Sequence, residues 1–410
     1  MAPRQPGAAR TPSLLPMMRH LLLLALLLAS ACASPRIPFT SEQQAVAVVP
    51  GFPNVRYFAD DPALAEVARR AAARLPGEIS YLALSGGGGD GAYGAGVLAG
   101  WTEAGTRPEF TIVSGVSTGA LIAPFAFAGP ARDDTLREMY TGGYGISLVS
   151  RPDFLNAIFG ASLFDADRLR ALLRRFVTPE LVADVAREHH KGRRLLVVTT
   201  NLDARRPVVW DMGAIAASPS PGAIDLFRRV MAASASIPGA FSPVLIPAEA
   251  QGHRFEEMHV DGGVISNIFV LPADLALGGA AMPRRARIHV IMNGRTEPSF
   301  ELAEPRATDL VGRTIWLMTQ VRSVSILRVT EAFARRNGVG FRITSIPSDF
   351  PEGDSMGFDT AHMRRLYAIG RELGRTGEAW RDRLRVDTAP SRATAARSGA
   401  PCASGTFRNC

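Results

Sequence analysis

Cysteine is scarce in this 410-residue chain, which contains three, and none of them lies in the central part of the sequence. Cys32 follows an apolar leader, whereas Cys402 and Cys410 lie in a polar C-terminal tail. The fold of the residues in between therefore cannot rest on disulfide bonds. The two tail cysteines could pair in an oxidising compartment, and a tail without any structural role is the alternative.

A run of basic residues interleaved with aromatic residues is also missing. The formal net charge is +8, but the arginines, which greatly outnumber the lysines, are scattered along the chain. This pattern argues against a nucleic-acid partner. Residues 1–31 contain Arg4, Arg10 and Arg19 and no acidic residue, so their removal would leave 8 − 3 = +5. That charge is compatible with attraction to anionic lipid surfaces.

No apolar run is long enough for a permanent transmembrane helix. The most apolar run, residues 21–28, follows Arg19 and His20 and ends at the small residues 29–31. A positive start, a short apolar centre and a small-residue end are typical of a secretory signal peptide. The sequence therefore predicts export, with residues 1–31 as the signal peptide.

Cys32 directly follows the predicted cleavage region. The run Leu-Ala-Ser-Ala-Cys resembles a bacterial lipoprotein signal, in which the cysteine is lipidated and becomes the first residue. Ala29 stands where leucine is commonest, and Ala-Ser-Ala also suits ordinary signal peptidase. Ala33 rather than aspartate follows Cys32, which implies sorting to the outer membrane. We therefore expect an exported outer-membrane lipoprotein, with residues 32–60 as a proline-containing tether.

Strand-like and helix-like segments alternate between residues 61 and 385. Strands are predicted at 79–85, 110–113, 195–200, 208–210, 258–260, 287–292 and 340–346, and helices at 63–75, 92–104, 120–127, 223–236, 308–336 and 360–380. The strands are nearly all apolar, as in a parallel sheet that is buried on both faces. This alternation predicts one α/β domain with a doubly wound, parallel-type sheet over residues 61–385. Residues 386–410 form a low-complexity tail.

Ser117 lies in the run Gly-Val-Ser-Thr-Gly, between a predicted strand and a predicted helix. A G-x-S-x-G motif in this context places its serine on a sharp turn, where the hydroxyl can act as a nucleophile. Side chains at Gly115 and Gly119 would collide with the neighbouring strand and helix. About thirty residues upstream, the glycine-rich residues 86–91 open a helix with a small-residue face, and their N–H groups can bind an oxyanion. Together these motifs indicate acyl transfer from an ester.

The base is harder to identify. None of the seven histidines lies in a loop after a late strand, and His362, at the start of the last helix, is the best of them. Asp261 follows a short apolar strand and precedes Gly262 and Gly263, at the sheet end where ligands bind. An aspartate with an ordinary pKa, roughly 4, is a poor base for serine. A water-poor pocket would raise that pKa and strengthen the base, so Asp261, read beside the other two motifs, fits better than His362.

The three motifs occur in the order and spacing of the patatin-like phospholipases. Residues 233–243, with Ser-Ile-Pro at their centre, also resemble the family's segment between nucleophile and base. The resemblance to this family, in a bacterial lipoprotein form, covers about residues 79–275. It implies a three-layer α/β fold, with a mainly parallel central sheet and helices on both faces. It also implies phospholipid or lysophospholipid substrates.

The resemblance implies a Ser–Asp dyad that works without histidine, metal or other cofactor. Ser117 would be the nucleophile, and Asp261 would take its proton and later activate water. The oxyanion donors would be the N–H groups of Gly87, Gly88 and Gly89. The supporting glycines of the three motifs are Gly86, Gly91, Gly115, Gly119, Gly262 and Gly263.

Asp90 departs from the family pattern, which usually has arginine or lysine at this position. An aspartate removes a positive charge near the oxyanion, or it fixes the loop through hydrogen bonds, and the head-group preference stays open. Two other functions also stay open: a Ser–His–Asp carboxylesterase with His362 as its base, and a non-catalytic, lipid-binding envelope lipoprotein, which Asp90 favours. Residues 140–165 are apolar enough for a lid or for simple core packing.

Overall fold

The computed structural model describes residues 36–74, 77–145, 166–270, 285–297, 307–351, 353 and 358–385. Within these residues a mixed, nine-stranded sheet has helices on both faces, which confirms the predicted α/β fold. The signal peptide, Cys32, Cys402, Cys410 and the tail lie outside the described residues and stay predictions.

The sheet has a parallel centre and antiparallel additions. Its strands are β1 (Arg56–Phe58), β2 (Ile79–Leu84), β3 (Ile112–Val116), β4 (Arg194–Asn201), β5 (Arg206–Asp211), β6 (Val244–Ala250), β7 (His253–Asp261), β8 (Ala286–Met292) and β9 (Gly340–Ser345). The order is β1-β5-β4-β3-β2-β8-β9, and the neighbours from β4 to β9 are all parallel. Strands β6 and β7 form a hairpin, and β7 pairs with the end of β4.

Helices cover both faces because the central strands are apolar on both faces. The helices are α1 (Ser41–Val46), α2 (Pro62–Arg74), α3 (Gly91–Glu103), α4 (Thr118–Ala128), α5 (Asp133–Thr141), α6 (Ala166–Phe176), α7 (Pro179–His190), α8 (Met212–Ala216), α9 (Ala223–Ser234), α10 (Ala307–Arg336) and α11 (Thr360–Thr376). Leu82 and Leu84 of β2 contribute to the core shared with α3, α4, α9 and α11. Tyr81 and Ala83 contribute to the core shared with α2 and α10.

The N-terminal segment is part of the folded body, so the predicted tether is wrong for residues 36–60. Strand β1 pairs with β5, and Phe52 is buried in the core. Gln44 Nε2 donates to Glu257 Oε1 at 2.6 Å, and Arg56 forms an ion pair with the other Glu257 oxygen. Burial alone would raise the pKa of Glu257, but hydrogen bonds from His259 and Arg56 lower it to about 2.

Close glycine packing joins α3 to α11. Gly96 and Gly100 lie one turn apart on α3, and Gly370 and Gly374 lie one turn apart on α11. A β-carbon added at Gly100 would lie 1.9 Å from the carbonyl oxygen of Arg371, so the two backbones are in contact. The predicted small-residue face of this helix is therefore confirmed. The contact also fixes α3, whose N-terminus follows the glycine-rich loop.

We expect Gly100→Ala to lower the free energy of unfolding by about 3 kcal/mol, because the two helices would have to separate. The matched control is Gly222→Ala, where the nearest atom to an added β-carbon lies 3.8 Å away. Gly222 is the N-cap of α9, so its expected cost is about 1 kcal/mol or less. Urea titration followed by circular dichroism measures both, and equal losses would contradict the packing account.

Candidate active site

Ser117 lies on a sharp turn between β3 and α4, as the motif predicts. Its backbone has φ 55° and ψ −124°, a conformation that non-glycine residues rarely adopt. A β-carbon at Gly115 would lie 2.3 Å from the carbonyl oxygen of Gly119, and one at Gly119 would lie 2.3 Å from that of Leu84. Both flanking glycines are therefore required for the turn to fit between β2 and α4.

Sheet register brings Asp261 to the same place. Strand β3 follows β4 up to the pair Val116–Val198, and the chain then leaves the sheet at Ser117. Beyond that point β7 takes over as the neighbour of β4, and its first partner pair is Thr199–Asp261. Asp261 therefore occupies the position that β3 vacates, directly beside the turn that carries Ser117.

The Asp261 carboxylate is buried and faces the Ser117 hydroxyl. Asp261 is only 3% exposed, and this burial raises the pKa of its carboxyl group to about 7. The Ser117 hydroxyl and the Gly263 N–H, which donates to Oδ1 at 2.7 Å, both oppose this rise. Oδ2 is buried without a hydrogen bond of ordinary geometry among the described residues, which leaves it available to accept a proton.

The Ser-Ile-Pro segment holds both members of this pair. Ser234 Oγ accepts the Ser117 N–H at 3.1 Å and donates to the Val198 carbonyl oxygen at 2.7 Å. The Ser236 carbonyl oxygen accepts the Asp261 N–H at 2.9 Å. One short stretch of chain thus fixes the backbones of Ser117 and Asp261 relative to β4, which gives a physical role to a segment that the sequence singled out only by resemblance.

The glycine-rich loop passes close to Ser117. A β-carbon at Gly86 would lie 2.9 Å from the Ser117 β-carbon. Gly87 caps a short 3-10 turn, and Gly88 and Gly89 are its first two residues. The hydrogen bonds inside this turn do not involve the N–H groups of these three glycines, and no other hydrogen bond from them occurs among the described residues. These predicted donors are therefore free to bind an oxyanion next to the serine.

Two asparagines that the sequence analysis did not identify position this loop. Asn293, at the end of β8, donates from Nδ2 to the Ser85 carbonyl oxygen at 2.7 Å. The Asn267 carbonyl oxygen accepts the Gly86 N–H at 2.9 Å, and its side-chain oxygen leaves no room for a β-carbon at Gly86. Asn267 lies six residues after Asp261, and this short spacing is the only sequence signal that could have indicated it.

The histidines lie elsewhere. His259 is fully buried between Thr199 and Glu257, with its Nδ1 2.9 Å from Thr199 Oγ1 and its Nε2 3.1 Å from Glu257 Oε2. His362 Nε2 lies 3.4 Å from Asp90 Oδ1, at the far end of the glycine-rich loop. Among the described residues, no histidine is hydrogen-bonded to Ser117, so the geometry of a Ser–His–Asp triad is not formed.

The remaining predicted features are located only in part. Tyr140, from the candidate lid, is buried and its hydroxyl bonds to Thr118, while residues 146–165 lie outside the described residues. No cluster of potential metal ligands occurs in the described ranges. No helix of the described chain is both long and apolar enough to cross a bilayer.

Residues 82–276 match the family model described as patatin-like phospholipase. The matched stretch contains the glycine-rich loop, Ser117 and Asp261, and it ends before α10 and α11. A patatin-like domain supports lipid acyl hydrolysis in general terms. The crystal structure of VipD from Legionella pneumophila is similar over 75% of this chain and 68% of its own, at 11% sequence identity and a TM-score of 0.36. None of the curated proteins matches the chain.

We expect Asp261→Asn to stabilise the protein relative to wild type as the pH rises. Between the unfolded pKa, roughly 4, and the folded pKa of about 7, the native state keeps a proton that the unfolded state releases. The wild type therefore loses stability over this range, at up to about 1.4 kcal/mol per pH unit, and the variant does not.

Urea titrations at pH 4, 6 and 8 measure this difference. The control is Asp134→Asn, whose side chain is 89% exposed, and its difference from wild type should not change with pH in this way. A constant difference between Asp261→Asn and wild type would show that burial does not raise the pKa of Asp261.

Proposed function

We propose that this protein is a serine acyl hydrolase that cleaves fatty-acyl esters of phospholipids or lysophospholipids with a Ser117–Asp261 dyad. The observation that carries the proposal is the buried Asp261 carboxylate, with a pKa of about 7, facing the Ser117 hydroxyl beside free N–H donors. The match of residues 82–276 supports the reaction class. The substrate class and the roles of the two residues belong to the proposal.

In the first half-reaction Asp261 takes the proton from Ser117 Oγ as that oxygen bonds to the ester carbonyl carbon. The carbonyl oxygen becomes an oxyanion, which the N–H groups of Gly87, Gly88 and Gly89 stabilise. The bond from the carbon to the leaving alkoxide then breaks, and Asp261 returns the proton to that oxygen. An acyl-serine results, together with a lysophospholipid from a phospholipid substrate or a glycerophosphodiester from a lysophospholipid substrate.

In the second half-reaction Asp261 takes a proton from water as the water oxygen attacks the acyl-serine. The same N–H groups stabilise the second oxyanion. The bond to Ser117 Oγ breaks, the proton passes from Asp261 to that oxygen, and a fatty acid leaves. A base with a pKa near 7 suits both steps, because about half of it is ionised at neutral pH and it is still basic enough to accept a proton.

We further propose that the protein works as an exported, membrane-anchored lipoprotein. The support is the leader and Cys32, which lies four residues before Arg36 and so within about 14 Å of it along an extended chain. Arg36 donates two hydrogen bonds to Asp203, at 2.9 and 2.6 Å, in the turn after β4. That turn follows the carboxyl end of β4, the sheet edge on which Ser117 lies, so an anchor at Cys32 would attach near the site.

The dyad predicts that both Ser117→Ala and Asp261→Asn abolish hydrolysis, by about 10⁴-fold, because each removes a group that no neighbour replaces. Fatty-acid release from mixed phospholipid vesicles, measured by mass spectrometry, tests this and identifies the acyl chains and head groups. The matched controls are Ser114→Ala, whose buried hydroxyl bonds to Phe269, and Asp211→Asn, whose buried carboxyl also has a raised pKa. Both should retain activity.

The outcome also separates the competing functions. Activity that survives in Asp261→Asn and disappears in His362→Gln would identify a histidine-dependent carboxylesterase. A wild type that releases no fatty acid, and whose Ser117 is not labelled by a fluorophosphonate, would identify a lipid-binding protein without activity.

A further inference from the structure

The outer face of α10 is unusually apolar for a surface helix. It consists of Leu310, Leu317, Met318, Val321 and Val329, which are 47%, 47%, 57%, 63% and 71% exposed. Their spacing of seven, eight, eleven and nineteen residues from Leu310 places them on one side of the helix. Single exposed apolar residues are common on proteins, but five along one helix side form a patch of the kind that marks an interaction site.

The N-terminal half of α10 is exposed on its other side as well. Trp316 lies seven and eleven residues before Ser323 and Leu327, which are both fully buried, so it falls in line with the core-facing side. Trp316 is nevertheless 48% exposed. An exposed tryptophan beside aliphatic residues is typical of surfaces that enter the interfacial region of a bilayer.

The outer face adjoins the candidate active site. Arg322 Nη1 donates to the carbonyl oxygens of Val264 and Ile265, at 3.1 and 3.3 Å. These residues belong to the turn that directly follows Asp261, and Val264 is itself 41% exposed. A surface that contacts α10 would therefore lie next to the loop that carries the proposed base.

The charge of α10 determines which surface it fits. Between residues 310 and 336 the helix has five arginines and one acidic residue, Glu331, which gives 5 − 1 = +4. Arg322, Arg328 and Arg335 are exposed on the same helix. With Asp309 included, the whole of α10 carries 5 − 2 = +3. A second copy of the chain would bring two such positive helices together, which is unfavourable, whereas an anionic lipid surface would attract them.

We propose that the outer face of α10, together with Trp316 and Val264, docks on an anionic phospholipid surface and brings the Ser117 site to lipids in that surface. This inference rests on the proposed function, because phospholipid substrates reside in such surfaces. The apolar side chains enter the interface, and the arginines contact the phosphate groups.

The test uses the exported, processed chain with Cys32→Ser, which has no acylation site, and with Ser117→Ala, which prevents hydrolysis during binding. Partitioning is measured by co-sedimentation with phosphatidylglycerol or phosphatidylcholine vesicles. Val321→Ser/Val329→Ser should weaken partitioning to phosphatidylglycerol about tenfold or more. The matched control is Val46→Ser/Val48→Ser, two exposed valines at and just after the end of α1, where Val48 pairs with Glu249 of β6. It should partition like the parent.

Charge reversal tests the lipid preference. Arg328→Glu/Arg335→Glu should reduce partitioning to phosphatidylglycerol vesicles and leave partitioning to phosphatidylcholine vesicles unchanged. Added salt should weaken the binding of the parent to the anionic vesicles in the same direction.

Kinetics with Ser117 intact separate this proposal from the proposed function. Val321→Ser/Val329→Ser should hydrolyse a soluble short-chain ester at the wild-type rate and lose activity only on vesicles. Unchanged partitioning of that variant would overturn the docking proposal. So would light scattering that shows an oligomeric parent and a monomeric variant, because the outer face would then bind protein. A wild type that hydrolyses neither substrate would overturn the proposed function and leave the binding result valid.

Discussion

The shared edge of β4 is the constraint on which the rest of the site depends. Strand β3 pairs with this edge as far as Val198 of β4, and β7 pairs with it from Thr199 of β4 onward. The chain therefore leaves β3 at the point on β4 where β7 ends. Ser117 directly follows the last residue of β3, and Asp261 is the last residue of β7. The hydrogen-bond register of both strands with β4 therefore sets the separation of Ser117 and Asp261. Ser234 bonds to both β4 and the Ser117 N–H and thereby closes the junction. The proximity of Ser117 and Asp261 is in this sense a consequence of strand order.

This arrangement is unfavourable for stability and useful for chemistry. Ser117 holds a backbone conformation with positive φ, and Asp261 is a buried acid whose charged form lacks solvation. Elsewhere the chain packs closely, as in the glycine contacts between α3 and α11, and pairs its buried charges, as in Arg56–Glu257. That ion pair ties the N-terminal segment to β7, the strand that carries Asp261, so residues outside the matched family region support the site.

Local patterns predicted the parallel centre of the sheet, the turn at Ser117 and the position of Asp261, because strand–turn–helix motifs are encoded by neighbouring residues. Long-range contacts were not predictable. Arg56 and Glu257 are 201 residues apart, so residues 36–60 resembled a tether by composition.

The last helix ends at Thr376 rather than 380, because Gly377 adopts a left-handed conformation. Strand β6 and helices α5, α6, α7 and α8 were not predicted from the sequence either. Asp90 departed from the family pattern, and only the fold revealed its neighbour His362.

The most direct measurement for the central claim is the rate at which a fluorophosphonate labels Ser117 as a function of pH. In wild type and in His362→Gln the account predicts a rate that rises with pH and has a midpoint near 7, the pKa of Asp261. In Asp261→Asn it predicts slow labelling without that midpoint. A midpoint that survives in Asp261→Asn and disappears in His362→Gln would contradict the account.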